Sequence, residues 1–403
     1  MARLKTFYFD DASFMPQSDN YPGSIGDSGV KRISVIYPFL LLIIVSFISV
    51  AFSVESVFAS HIMVRPDKKN TQVKHSDKYL GYINRSDVKL FIRDLEAKEQ
   101  LPRRDTERVI GLAKRSDKAL ELMGRKVENQ LAWKDYHKIF LTTERINQGI
   151  VFWEKNARAL AQAEIEYGVP ASIIVAVLGV ETAYGRQTGG FSVLDALTTL
   201  SFDYPPRNKF FKNELKEFLK LVLEQKIKHP ENIRGSYAGA MGIPRFMPSI
   251  YRTYAVDFTG DGRSNIWDYS EDAVGSVANY LCKLGWQKGM PVVSKVRDQT
   301  RIANEFPQAS SLRPDKTLAE LGKMGWYPDM ALPPEVKKAT TITLEAEQGP
   351  EYWLGFTNYY AITRYHPSQM YAMAVVQLAK EVKSGYNHAA TQVKEQVPET
   401  GKT

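Results

Sequence analysis

At 403 residues the chain is long enough to bury a sizeable core and to divide into two or three domains. One cysteine excludes an intrachain disulfide, and six histidines without an HExxH or Cys-His cluster argue against a catalytic zinc site. Against 45 Asp and Glu stand 53 Lys and Arg, a net +8 that suits an acidic polymer; nucleic acid would satisfy this charge, but no basic helix, RNP or zinc motif accompanies it.

Residues 1–32 are polar and read as a cytoplasmic tail or as an over-long start, since the chain from Val30 onward already has the layout of a complete leader. No charge interrupts 33–54, Lys31-Arg32 stand before it, and Val57-Phe58-Ala59 precede Ser60 as a small-residue cleavage site. The segment 33–59 is therefore expected to be an export signal or, uncleaved, an inner-membrane anchor, and both place 60–403 outside the cytoplasm. A polar linker is expected over 60–85 and a helical domain over 86–165, where SDVKLFIRDLEAKEQ and DTERVIGLAKRSDKALELM alternate charged and apolar residues at helical spacing. Ser86 and Asp105 stand as caps, and Tyr167-Gly168 ends the last helix.

The core is expected over 166–288. Ile173-Ile174-Val175-Ala176-Val177-Leu178-Gly179-Val180 is apolar all round and predicts a buried helix, with Pro170 at its start and Gly185 and Gly189-Gly190 marking its stop. Glu181 then falls near the C-terminal end, where desolvation and the negative end of the helix dipole both favour its protonated form. A general acid requires that. The alternative is a glutamate that simply reaches water. Two aspartates stand near enough in sequence to be partners: Asp195 reads as a helix N-terminal or interhelical residue, and Asp203, before Tyr204-Pro205-Pro206, as a turn former.

In GSYAGAMGIPRFMPS, Gly235, Gly239 and Gly242 would let a flat substrate approach the backbone, Ser236 could orient an amide, and Tyr237 and Phe246 offer ring faces; helix packing is the alternative for the Gly-Ala pairs. Asp257, Thr259, Asp261, Arg263 through its carbonyl, Asn265 and Asp268 occupy positions 1, 3, 5, 7, 9 and 12 of an EF-hand-like calcium loop, with Gly262 at the sharp turn. Thr259 and the short Asp268 weaken that pattern, and a glycine-rich turn held by Asx bonds is the alternative. Cys282 lies in a helical pattern as a small hydrophobe. PVVSKV and TTITLEA predict a small β-domain over 289–350, YAMAVVQLAKEVKSG a return to the core over 351–386, and the polar residues 387–403 a flexible tail.

The blocks VETAYGRQTGGFSVLDALTTLSFDYPPR, GSYAGAMGIPRFMPSIYRTYAVDFTGDGRSNIWDYSEDAVGSVANYL and GFTNYYAITRY with YAMAVVQLA closely resemble the lytic murein transglycosylase B family of bacterial cell-wall enzymes, from about 147 to 379. The resemblance implies a mainly α (α+β) fold: a lysozyme-like helical core with an additional helical domain and a small inserted β-domain. It implies peptidoglycan glycan strands as substrate, no organic cofactor, a structural Ca2+ in the 257–268 loop, and a periplasmic location, soluble or anchored. Glu181 matches the family's single acid/base. It would protonate the bridging oxygen while the muramic 2-acetamido group attacks its own anomeric carbon, then take the proton of the 6-hydroxyl as that oxygen closes a 1,6-anhydro ring.

The alternatives in mechanism are a hydrolytic muramidase and a non-catalytic glycan-binding module. Tyr365 and Tyr371 match family tyrosines that line the cleft, and Phe210 stands where a lining aromatic, or a core residue, would be. Two positions depart from the family pattern. Arg245 replaces a usual Gln and cannot accept a hydrogen bond, although it could pair with a lactyl or peptide carboxylate, and His366 replaces a usual Asn.

Overall fold

The computed structural model describes residues 81–124, 131–298 and 311–396, which lie in one compact unit. The leader or anchor read at 33–59 and the polar segments 1–32 and 60–80 lie outside the described residues.

A 3₁₀ turn, Tyr82–Asn84, opens the described chain with Tyr82 already buried, so the linker ends before 85. Three helices follow: α1 (Ser86–Glu99), α2 (Arg103–Ile110) and α3 (Asp117–Gly124). Ser86 and Asp105 sit inside the first turns of α1 and α2 rather than capping them. Arg85 takes the cap position of α1, seated by ion pairs to Asp87 and Asp203. Next come α4 (Trp133–Phe140), α5 (Thr143–Lys155) and α6 (Ala157–Tyr167), the last ended by the left-handed Gly168.

Helix α7 (Ala171–Thr182) is the centre of the molecule: all its residues except Glu181 are buried. Beyond it run β1 (Phe191–Ser192), α8 (Val193–Asp203), α9 (Asn208–Glu224), β2 (Arg234–Gly235), α10 (Pro248–Tyr254) and α11 (Ser270–Lys283). Helix α9 turns Phe211, Leu215, Phe218, Leu219 and Val222 inward at helical spacing, an apolar stripe that packs on α8. Helices α1 to α3 gather on this α8–α9 layer, while α5, α6 and α11 wrap α7.

The chain then leaves the helices for β3 (Val293–Lys295), β4 (Lys316–Thr317), α12 (Leu318–Lys323), β5 (Lys338–Ala346) and β6 (Gly349–Gly355), an antiparallel sheet in the order β3-β6-β5-β4. It has its own small core of Val296, Leu321, Trp326, Ala339, Leu354 and Phe356. The sheet runs on to Gly355, past the expected limit of 350. Helices α13 (Thr357–Tyr365) and α14 (Gln369–Gln396) return to the core, and α14 packs on α7, α5 and α4. Helix α14 reaches ten residues into the segment expected to be a tail from 387, because Trp153 stacks on Tyr386 at 4.6 Å and carries packing up to that boundary.

Asp203 holds the two helical layers together. Its carboxylate accepts from Tyr82 Oη at 2.7 Å and from Arg85 Nη1 and Arg115 Nη1, each at 2.5 Å. It is an ion-pair hub, not merely a turn former. Asp203→Ala removes the acceptor that Tyr82, Arg85 and Arg115 share and leaves them Thr199, Asp87 and Asp117 respectively, so with both arginines partly in solvent the expected loss is roughly 1–2 kcal/mol. A thermal melt should show this as a drop of several degrees.

Candidate active site

Helix α7 delivers Glu181 to the surface of the core and then stops abruptly. The stop comes from two consecutive non-glycine residues in the left-handed region, Ala183 (φ +50) and Tyr184 (φ +62), immediately before Gly185 and ahead of Gly189. Such backbone is held against about 1–2 kcal/mol per residue. Tyr184 offsets this strain by packing: its ring stacks on Phe152 at 5.5 Å and its hydroxyl donates to the Arg145 carbonyl at 3.0 Å. Arg145 Nη1 in turn donates to the Gly179 carbonyl, which also accepts the Ala183 N–H at 3.1 Å, so the last turn of the helix is braced from outside.

Glu181 is half-buried, and Tyr371 Oη donates to its Oε1 at 2.6 Å. Tyr371 lies parallel to Tyr365, 6.4 Å away, and stacks on His366 at 4.6 Å. Tyr365 touches Tyr280 and Phe246, and Tyr280 touches Tyr254. A row of rings thus runs beside the carboxylate from α10 to α14. Burial, reinforced by the neighbouring Glu181 charge, pushes the phenols of Tyr365 and Tyr371 well above their usual range, so both remain hydrogen-bond donors at any physiological pH.

The loop after β2 is folded on itself by bridges from Met241 to Gly235 and Phe246. Its glycines serve the protein side: a Cβ on Gly239 (φ +88) would meet Leu197 at 2.4 Å, and one on Gly242 (φ +68) would meet Ile266 at 2.7 Å. They let the loop lie against α8 and the 257–268 loop, which replaces the reading of an open approach for substrate. Ser236 is 1% exposed and its Oγ accepts from the backbone of Ala238 and Ala240, so it shapes this loop from within. Phe246 is 2% exposed, beneath the aromatic row, and presents no open face. Tyr237 is buried with Phe191 edge-on. Phe210 packs edge-on against Phe211 with the Arg207 guanidinium 4.6 Å from its ring centre. Arg245, left-handed at φ +53, sends Nη2 to the Gln187 carbonyl at 3.0 Å, tying this loop to the one that follows α7.

Neither aspartate joins Glu181. Asp203 is engaged with Tyr82, Arg85 and Arg115, while Asp195 accepts the Lys114 N–H at 2.8 Å and burial pushes its carboxyl up.

The 257–268 loop is built around Asp257, whose carboxylate gathers the N–H groups of Gly260, Asp261 and Gly262. From α11 the fully buried Asp272 accepts the N–H groups of Phe258, Thr259 and Asn265. Asn265 Oδ1 accepts from Trp267 and Asp268, and Arg263 N–H reaches Asp261. The donors are all oxygen and lie on a solvent-facing loop, the chemistry that a hard cation takes. Among the described residues, however, no three Asp, Glu, His or Cys are grouped about one point.

Four contributors had no clear signal in the sequence. Tyr280 and Asp272 look like ordinary helix residues until α11 is placed, Thr182 becomes informative only through the partner of its hydroxyl, and Glu214 sits on an amphipathic helix among solvated charges.

A family model, the transglycosylase SLT domain, matches residues 84–380. The chain belongs to this family. Among its relatives in the SLT-domain family, the chain is similar to the membrane-bound lytic murein transglycosylase B of Escherichia coli K12, 44% identical over 252 residues, 62% of this chain and 67% of that one. The catenated lytic transglycosylase SltB1 of Pseudomonas aeruginosa superimposes with a TM-score of 0.71 at 44% identity, covering 76% of this chain and 99% of the other. The Escherichia coli lytic transglycosylase Slt35 in complex with calcium does so at 0.69 and 40% identity, covering 75% and 94%. The lysozyme-like, mainly helical fold with small sheets is therefore the family's own.

Glu214 provides a check on the scaffold. It is 1% exposed on α9 and accepts from Ser249 N and Oγ at 3.0 and 2.8 Å, fastening the start of α10 directly after the site loop. Burial pushes its carboxyl up to about 7 from 4.5. The folded state then keeps a proton that the unfolded chain loses between those values, so stability falls as pH rises through that window and is flat on either side. Urea denaturation at pH 5 and pH 8 should show the fall, and Glu214→Gln, which keeps both contacts, should abolish it.

Proposed function

We propose that this member of the family is a peptidoglycan lytic transglycosylase that cleaves the MurNAc–GlcNAc β-1,4 bond without water, with Glu181 as acid and then base. The observation that carries this reading is the Glu181 carboxylate bonded by the Tyr371 phenol, while the two aspartates nearest it in sequence, Asp195 and Asp203, are engaged elsewhere. Direct hydrolysis by the two-carboxylate routes requires a second acidic group at the bond. With Tyr371 donating to Oε1, the carboxylic proton stands on Oε2. It passes to the bridging oxygen as the C1–O bond breaks and the acetamido oxygen bonds C1. The Glu181 carboxylate then accepts the 6-hydroxyl proton as O6 displaces the acetamido oxygen. The carboxyl is again protonated and the product carries a 1,6-anhydro end. The charged intermediate state is favoured by the Tyr371 donor, which opposes the effect of burial.

Substrate would lie along the half-buried Tyr365 and His366, with the buried Tyr371 behind them backing Glu181 and Arg245 at the rim. Ser236, Tyr237, Phe246 and Phe210 support that surface from beneath or beside it. The exported location fits a murein substrate, with 33–54 as leader or anchor; among the described residues no single helix is long and apolar enough to cross a membrane. Glu181→Gln should abolish release of anhydromuropeptides from sacculi, read by mass spectrometry, while the variant still folds and sediments with the wall. Reducing ends in place of anhydro ends would instead indicate a muramidase.

The calcium reading is also ours. Asp257, Thr259, Asp261, the Arg263 carbonyl, Asn265 and Asp268 would hold the ion, which supplies structural bracing when bound. Millimolar calcium should raise the melting temperature relative to chelator by mass action, and Asp261→Ala should remove the difference.

A further inference from the structure

We infer that Thr182 is a positioning residue for Glu181. It acts through one hydroxyl that joins the catalytic helix to the site loop, an inference that rests on the acid/base role of Glu181. Thr182 is 1% exposed and follows Glu181 directly. Its Oγ1 lies 2.7 Å from the Ile243 carbonyl and 3.4 Å from that of Leu178; a hydroxyl has one proton, and the shorter contact takes it. The same oxygen accepts the Gly185 N–H at 3.0 Å. The Ile243 peptide is gripped on its other side too, its N–H donating to the Ile266 carbonyl at 2.9 Å.

The next peptide closes a circuit. Tyr365 Oη donates to the Pro244 carbonyl at 2.6 Å, Tyr365 lies parallel to Tyr371, and Tyr371 donates to Glu181. From Glu181 the path returns through one covalent step to Thr182. Every link but the ring contact is a hydrogen bond or a peptide bond, so the carboxylate is held from two directions by the same two-residue piece of loop, Ile243-Pro244. Arg245, one residue further, adds its tie to Gln187, whose N–H bonds the Thr182 carbonyl at 2.9 Å. Removing the Thr182 hydroxyl frees the loop at its contact with the catalytic helix. The Tyr365–Tyr371 pair then loses its fixed backing, and Glu181 its fixed orientation. A shift of about 1 Å at a reacting group can lower a rate by about 100-fold.

The test compares Thr182→Val, which keeps shape and loses the hydroxyl, with Thr182→Ser, which keeps the hydroxyl, on a soluble glycan oligomer. Thr182→Val should lower kcat by about 10- to 100-fold with KM within about twofold, and Thr182→Ser should recover kcat to within about threefold. Tyr365→Phe, which cuts the same circuit at Pro244, should also lower kcat, and the Thr182→Val/Tyr365→Phe double variant should be little worse than the poorer single one. A Thr182→Val enzyme with unchanged kcat overturns the inference, as does strict additivity with Tyr365→Phe. If Thr182→Val does not fold, a Thr182→Ser enzyme as active as the wild type, with a Tyr365→Phe enzyme of unchanged kcat, overturns it equally. Turnover retained by Glu181→Gln would be a different failure, that of the acid/base assignment itself.

Discussion

One hydrogen bond, from the Tyr371 phenol to the Glu181 carboxylate, joins groups 190 residues apart and fixes where the chemistry can occur. It holds because each partner stands at the end of a helix that has nowhere else to go. Helix α7 is so thoroughly apolar that only complete enclosure satisfies it, and enclosure leaves its C-terminal turn as the one place where a carboxylate can meet solvent. Helix α14 provides part of that enclosure and presents Tyr371 in its first turn.

The surroundings of that bond show a division of labour between rings and backbone. The aromatic row provides bulk and a low-dielectric wall, in which Tyr365 and Tyr371 stay neutral. Carbonyls at Gly179, Ile243, Pro244 and Gln187 supply the acceptors that pin Arg145, Thr182, Tyr365 and Arg245. Side chains whose chemistry suits a sugar, Ser236 and Phe246 among them, are turned inward. The loop after β2 is therefore a rigid part and not an adaptable one.

The sequence was most legible where a single physical requirement dominated. The unbroken apolar run announced α7 and made Glu181 conspicuous, and alternating Thr, Ile and Leu announced β5. It was least legible where a residue's role depends on a distant partner. Asp203 looked like a turn former because Pro205 and Pro206 stand beside it, while its three donors lie about 90 to 120 positions earlier. The end of α7 was expected at glycines, whereas tertiary packing of Tyr184 forces a left-handed turn that local propensity would not select. In the 257–268 loop the spacing of oxygens could be read, but the grip of Asp272 from the following helix could not.

The insertion of the β-domain between α11 and α13 has a consequence in time. Ribosomes add about 5–20 residues per second, so the carboxylate precedes its phenol by about 10–40 s of synthesis. Through that interval the chain can fold local helices, but the long-range closure that aligns donor and acceptor awaits the final segment. A truncated or still-growing polypeptide thus carries the reactive acid without the partner that aims it. The separation of the two groups along the chain makes the completed centre a report that synthesis has passed the start of α14.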